Sequence, residues 1–153
     1  MSIETYAQAM RQVPLFANVA TKHLKLLALA SSCVTYKSGQ KLCIQGEEGD
    51  AAYILISGKA DVTIDSGKGT TKVADLKAND VVGELSILRD MPRSATVTAV
   101  TDVTTLQIGK QDFLNLLNEF PDVSIEISRT LAERLVTTTN ELAEARAALQ
   151  AAE

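Results

Sequence analysis

The sequence predicts an α+β protein: short antiparallel strands close into a sandwich or roll between N-terminal helices and one long C-terminal helix. Three observations predict it. Between Cys33 and Ile108 apolar and polar residues alternate in short runs, and turn residues separate these runs roughly every 8–12 positions. Before and after that stretch the apolar period becomes helical. From Asp122 to about Ala152 there is neither Gly nor Pro, enough chain for a helix of roughly 45 Å.

The elements follow in order. Ile3 to Gln12 suits a short helix that Pro14 stops, and Leu15 and Phe16 then form a small apolar anchor. Thr21 is placed to cap a second helix, Lys22 to Ala30, with Leu24, Leu26 and Leu27 on its inner side. His23 falls in the first turn of that helix and reads as a partly exposed surface residue. Val34 and Tyr36 alternate with polar neighbours, Ser38-Gly39 turns the chain, and Lys41 to Ile44 is extended. Gln45 to Asp50 is a loop, Ala51 to Ile56 a buried strand, and Ser57-Gly58 a turn. Ala60, Val62 and Ile64 alternate with Asp61, Thr63 and Asp65, a strand of period two with one face buried. Ser66-Gly67-Lys68-Gly69 makes a hairpin loop and Thr70 to Leu76 its returning strand. Ala95, Val97 and Ala99 alternate with Thr96 and Thr98, and Thr104 to Ile108 is the last strand. Phe113, Leu114, Leu116, Leu117 and Phe120 then suit a helix from Lys110 to Glu119, and Pro121 opens the next one. In that final helix Leu131, Leu135, Thr138, Leu142, Ala145 and Leu149 are spaced 4, 3, 4, 3, 4, the seam of a coiled coil. Two readings stand: pairing into a homodimer through the seam, or packing of the helix on its own domain.

Composition removes several function classes. The 153 residues are 46% apolar and 22% charged, globular proportions in a chain long enough to bury a core without staples. Fifteen basic and 19 acidic residues give a net charge of −4 with no basic block, which argues against direct contact with nucleic acid. A single histidine, His23, excludes multi-histidine metal sites and weakens any Ser-His-Asp or Cys-His reading. The longest apolar run is the six residues Ala51 to Ile56, far short of the roughly 20 that a membrane helix needs. The N-terminal MSIETYAQAMRQ is no secretory signal. Cys33 and Cys43, without a CxxC pair, read as free buried thiols of a reducing cytosol. The expectation is a cytoplasmic protein without membrane span, metal or other cofactor.

Chemistry concentrates in Val82 to Val97, VGELSILRDMPRSATV. Gly83 allows close approach of the backbone. Glu84 to Leu88 suits one short helical turn, whose free N–H groups favour an anion. Arg93 supplies a planar fork that matches two phosphate oxygens, and the Ser94 hydroxyl one more donor. Glu84 repels a phosphate, and its carboxylate suits a sugar hydroxyl instead. Anion donors beside a hydroxyl acceptor imply a sugar phosphate.

This stretch resembles the phosphate-binding cassette of cyclic nucleotide-binding domains, in which G-E-[LI]-x-L is followed by R-[ST/A]-A. Gly46-Glu47-Glu48-Gly49-Asp50, then Tyr53-Ile54-Leu55-Ile56-Ser57-Gly58, is similar to the family's early loop and strand, and Val13-Pro14-Leu15-Phe16 to its entry motif. The helix from Pro121-Asp122 resembles that of the bacterial catabolite activator, so the likeness runs from Val13 to Leu142. The resemblance implies an eight-stranded, jelly-roll-like antiparallel β-roll with a C-terminal lid or dimerisation helix. It also implies roles. Glu84 would hold the ribose 2′-hydroxyl and Arg93 the cyclic phosphate. Gly83, Leu85 and Ser86 would offer backbone groups, and Ser94 its hydroxyl and N–H. Asp50 would orient Arg93, Val62 and Val73 would wall the base, and Thr138 and Thr139 would contact it near the dimer seam. Plainer readings stay open: a turn or cap for Asp50, core for the two valines, solvated helix surface for the two threonines. Val82 replaces a common aromatic, the Arg89 to Pro92 loop has no assigned role, and with no Trp the lid would be Leu131, Leu135 and the threonines.

The boundaries expected are one domain over 1–153: N-terminal helices to 31, roll over 32–109 with the cassette at 82–95, and hinge and lid helices over 110–153. The resemblance to the family's bacterial regulators, which continue into a DNA-binding domain, carries the expectation of a stand-alone domain without one. The expected function is a receptor for cAMP, with cGMP as the second candidate, that moves its C-terminal helix and signals to an unidentified effector protein. The alternative is a degenerate module that binds protein and no ligand. An enzyme of the cupin type is disfavoured by the lone histidine.

Overall fold

The computed structural model describes residues 2–152. Helix α1 is Ile3–Arg11, capped by the Ser2 hydroxyl, which accepts from the Thr5 N–H. A single 3-10 turn, Pro14–Phe16, buries Leu15 and Phe16 as the expected anchor. Helix α2 is Thr21–Ala30. The strands are β1 (Ser32–Tyr36), β2 (Lys41–Cys43), β3 (Ala51–Ser57), β4 (Ala60–Asp65), β5 (Thr70–Leu76) and β6 (Val81–Val82). Helix α3 (Glu84–Arg89) follows, then β7 (Thr96–Ala99), β8 (Val103–Gly109), α4 (Lys110–Glu119) and α5 (Pro121–Ala151).

The eight strands form two four-stranded antiparallel sheets, ordered β1-β8-β3-β6 and β2-β7-β4-β5. This is the α+β roll that the strand pattern predicts. β3 explains why Ala51 to Ile56 reads as an unbroken apolar run. Its two faces meet different cores: Ala52 and Ile54 pack with Met10, Phe16, Leu24, Leu106 and Phe113 under the helices, and Leu55 packs with Leu42, Val97 and Val103 between the sheets.

Several expectations are corrected. Thr21 does not cap α2 with its side chain. The N-cap is Ala20, and the Thr21 Oγ1 accepts from Arg11 Nη2 at 3.0 Å while the Arg11 Nη1 donates to the carbonyls of Ala17 and Val19. Leu26 is 49% exposed and faces away from the core. His23 is buried, with its ring 4.1 Å from the Phe120 ring and its Nδ1 3.8 Å from Asp122 Oδ2. The helix presents Leu24, Leu27 and Ala28 inward, and His23 is carried in with them. Cys33 is exposed because β1 is an edge strand, and Cys43 is half-buried. β6 was not predicted, since two residues are too few to show a period.

Helix α5 buries only Val123 and Ile127, and Leu131 is half-buried against the same core. Every described residue beyond Leu131 is exposed, including Leu135, Leu142 and Leu149. Packing along its whole length on its own domain is therefore excluded. Among the described residues no helix is long and apolar enough to cross a membrane.

Candidate functional site

Strand β6 pairs with β3, Val82 opposite Tyr53, and so delivers Gly83 to the middle of the roll. Gly83 has φ 89°, and a Cβ there would collide with Arg93 Nη1 and stand 2.8 Å from the Ala51 oxygen. Only glycine fits. Helix α3 starts at the next residue, and Asp90 ends it in the left-handed conformation, with N–H groups of Asp90 and Met91 returning to Ile87 and Ser86. The chain then reaches Arg93, whose N–H donates to the Glu47 carbonyl at 2.8 Å and whose carbonyl accepts from the Gly46 N–H at 2.9 Å. The glycine loop thus pins the arginine's backbone.

These elements enclose a cavity of about 180 Å³. Gly83, Glu84, Leu85, Ser86, Arg93 and Ser94 line it, together with the largely apolar set Cys43, Val62, Val81, Val82, Ala95 and Val97. Arg93 is 5% exposed. Its Nη2 donates to the Ala51 carbonyl at 2.6 Å, and its Nη1 to Ser86 Oγ at 3.0 Å and the Gly83 carbonyl at 3.3 Å. Asp50 Oδ1 lies 3.6 Å from Nη2 with its carboxylate largely in solvent. Glu84 is 4% exposed. Burial raises its pKa above the ordinary carboxylate value, while its own N–H, Arg134 and Arg93 pull the other way. Ser94 stands exposed at the mouth and Leu85 is 46% exposed. The cavity therefore joins a cation with donors, a buried carboxylate and an apolar wall.

Eight of the eleven site residues singled out in the sequence are brought to this place: the six cassette positions and Val62 line it, and Asp50 stands beside Arg93, next to Gly49, where a Cβ would press on Ser86. Val73 does not line it. It is 52% exposed on the edge strand β5, at the register slip between Val62 and Thr63. Thr138 and Thr139 are exposed on α5 and do not line it either. Sequence reasoning missed Arg134, whose Nη1 donates to Glu84 Oε1 at 3.3 Å. Its signal was its place one helical turn before Thr138, on the same face.

The model of the cyclic nucleotide-binding domain matches residues 33–120, from β1 to the end of α4. A cAMP-dependent protein kinase regulatory subunit from Yarrowia lipolytica is 36% identical over 117 residues, 76% of this chain and 31% of that protein. The N-terminal domain of a transcriptional regulator from Streptomyces coelicolor superposes with a TM-score of 0.73 at 34% identity, covering 86% of this chain and 95% of that one. The regulatory subunit of a cAMP-independent protein kinase A from Trypanosoma brucei superposes with a TM-score of 0.72 at 30% identity, covering 83% of this chain and 47% of that one. The chain spans a quarter to a third of the length of the curated kinase subunits it matches. On the matched model, the fold and the relatives together, this chain belongs to the cyclic nucleotide-binding domain family.

Proposed function

We propose that the cavity binds a cyclic nucleotide, cAMP in preference to cGMP, and that binding changes the pose of α5. The observation that carries this is the buried presence of opposite charges, Arg93 and Glu84, in one cavity that apolar residues also line. The cyclic phosphate meets Arg93, the Ser94 hydroxyl and the N–H groups that begin α3. The ribose 2′-hydroxyl donates to Glu84. The base lies along Val62, Val82 and Val97, an apolar surface that suits adenine, while the Ser94 hydroxyl is engaged by the phosphate. Val73, Thr138 and Thr139 remain proposed base contacts of a closed or paired α5. Glu84 already accepts from Arg134 of α5, so a ribose at Glu84 and the position of α5 bear on the same carboxylate. A ligand shifts α5 by its differential affinity for the two poses. The elbow is Phe120-Pro121. The step is binding alone, with no bond made or broken, so the chain is a regulatory module rather than an enzyme. Its exposed seam residues make a homodimer, and an effector protein reads the helix.

A second reading is a module that binds protein without nucleotide. The engagement of Glu84 by Arg134 favours it, as does a relative named cAMP-independent. Calorimetric titration of cAMP and of cGMP into nucleotide-free protein separates the two. The proposal expects saturable binding of one ligand per chain with cAMP tighter, and heatless titrations with both would leave the second reading.

A further inference from the structure

Arg93 is almost wholly buried, yet among the described residues no buried carboxylate stands within ion-pair distance of it, and Glu84 acts on it only across the cavity. The partners of its guanidinium are two carbonyls and one hydroxyl, with the Asp50 carboxylate 3.6 Å away and mostly hydrated. A buried cation left this way is costly unless something else compensates it. The remaining neighbour is an aromatic face: Arg93 Cζ stands over the Tyr53 ring, 5.6 Å from its centroid. We propose that Tyr53 is a positioning residue for phosphate recognition, its ring face orienting the Arg93 guanidinium and leaving its charge free for the ligand. This rests on the nucleotide reading above.

The chemistry favours a ring over a carboxylate here. A π face attracts a cation but takes up none of its N–H donors and does not cancel its charge. A buried carboxylate would do both and would compete with the phosphate. The ring must also stay neutral. Burial pushes the Tyr53 phenol up to about 12, with Tyr36 and Asp50 adding and Arg93 opposing, so no phenolate forms at neutral pH.

The geometry fixes the plane as well as the place. Strand β3 supplies both contacts, the Ala51 carbonyl at 2.6 Å and, two residues on, the Tyr53 ring. One acceptor and one face together orient a planar group. The ring itself is held. Tyr53 is 5% exposed, and the Tyr36 ring meets it edge-on, centroids 6.3 Å apart and planes at 82°. Arg93 also borders a second cavity, about 190 Å³, whose lining includes Tyr53, Glu47, Glu48 and Asp50. With the ring removed, the guanidinium has room to fall back toward those carboxylates and away from the ligand.

The test reads phosphate recognition directly. The two phosphorothioate diastereomers of cAMP place sulfur on one or the other exocyclic position, so the ratio of their affinities reports where the arginine stands. Tyr53→Leu is expected to weaken cAMP binding by about fivefold and to move the diastereomer ratio toward one. Tyr53→Phe keeps the ring and is expected to keep both values. Tyr36→Leu leaves Tyr53 in place but unbraced and is expected to give an intermediate ratio, which tests the idea even where Tyr53→Leu folds poorly. A folded Tyr53→Leu with wild-type affinity, or with weaker binding but the wild-type ratio, overturns the positioning role and leaves the nucleotide site standing. Wild-type protein that binds none of these ligands overturns both.

Discussion

Arg93 and Glu84 place opposite demands on the same small volume. Each is nearly buried, one as a cation and one as a carboxylate whose pKa burial has raised. A phosphate relieves the first and a sugar hydroxyl the second. Arg93→Ala is therefore expected to weaken cyclic nucleotide binding by about 2 kcal/mol or more, roughly thirtyfold, by calorimetry. Glu84 carries a stability consequence of definite sign. Its folded pKa is raised, so its contribution is greatest below the ordinary carboxylate value and is lost as pH rises through its folded value. At neutral pH the ionised group costs stability. Glu84→Gln is expected to raise the ligand-free melting temperature at pH 7 and to flatten its dependence on pH over the weakly acidic range, while nucleotide affinity falls. A lower melting temperature at pH 7 would contradict the sign. The cassette was legible because Gly83, Glu84 and Arg93 fall within eleven successive residues, so their chemistry could be read from the string. Arg134 lies fifty residues from its partner, and its place one helical turn before Thr138 does not by itself point to Glu84.

At the scale of elements, the elbow between α4 and α5 is built on an unexpected histidine. His23 lies buried against Phe120, and its Nδ1 has no hydrogen-bond partner among the described residues. Its stacking holds α2 against the start of α5. His23→Ala is expected to cost about 2 kcal/mol of stability, read as a lower urea midpoint at unchanged slope, because it leaves a void beneath Phe120. Which side of α2 faces inward depends on how the helix lies on the roll. Local sequence therefore placed Leu24 and Leu27 correctly and misplaced Leu26 and His23. α4 and the start of α5 needed no such information, since Pro121 and the apolar spacing mark them in the chain itself. The pairing of Val81 and Val82 with β3 belongs to the other kind: it is short, non-local and visible only in three dimensions.

At the scale of the whole molecule, α5 leaves the body. Its last part-buried residue is Leu131, and Leu135, Leu142 and Leu149 run on uncovered along one stripe. Apolar residues at coiled-coil spacing on an unpartnered helix favour a second helix beside them. The protein is expected to scatter light as a dimer at micromolar concentration, and Leu142→Glu with Leu149→Glu to return it to a monomer that still binds nucleotide. A monomeric wild type would remove the seam reading and leave the cavity untouched. The central claim concerns that cavity, and the most direct measurement is calorimetric titration of cAMP into nucleotide-free wild type, Arg93→Ala and Glu84→Ala. The account predicts saturation at one ligand per chain for wild type and a loss of about 2 kcal/mol or more for Arg93→Ala, with Glu84→Ala also weakened. Absent heat with wild type, or equal affinity in all three, would contradict it.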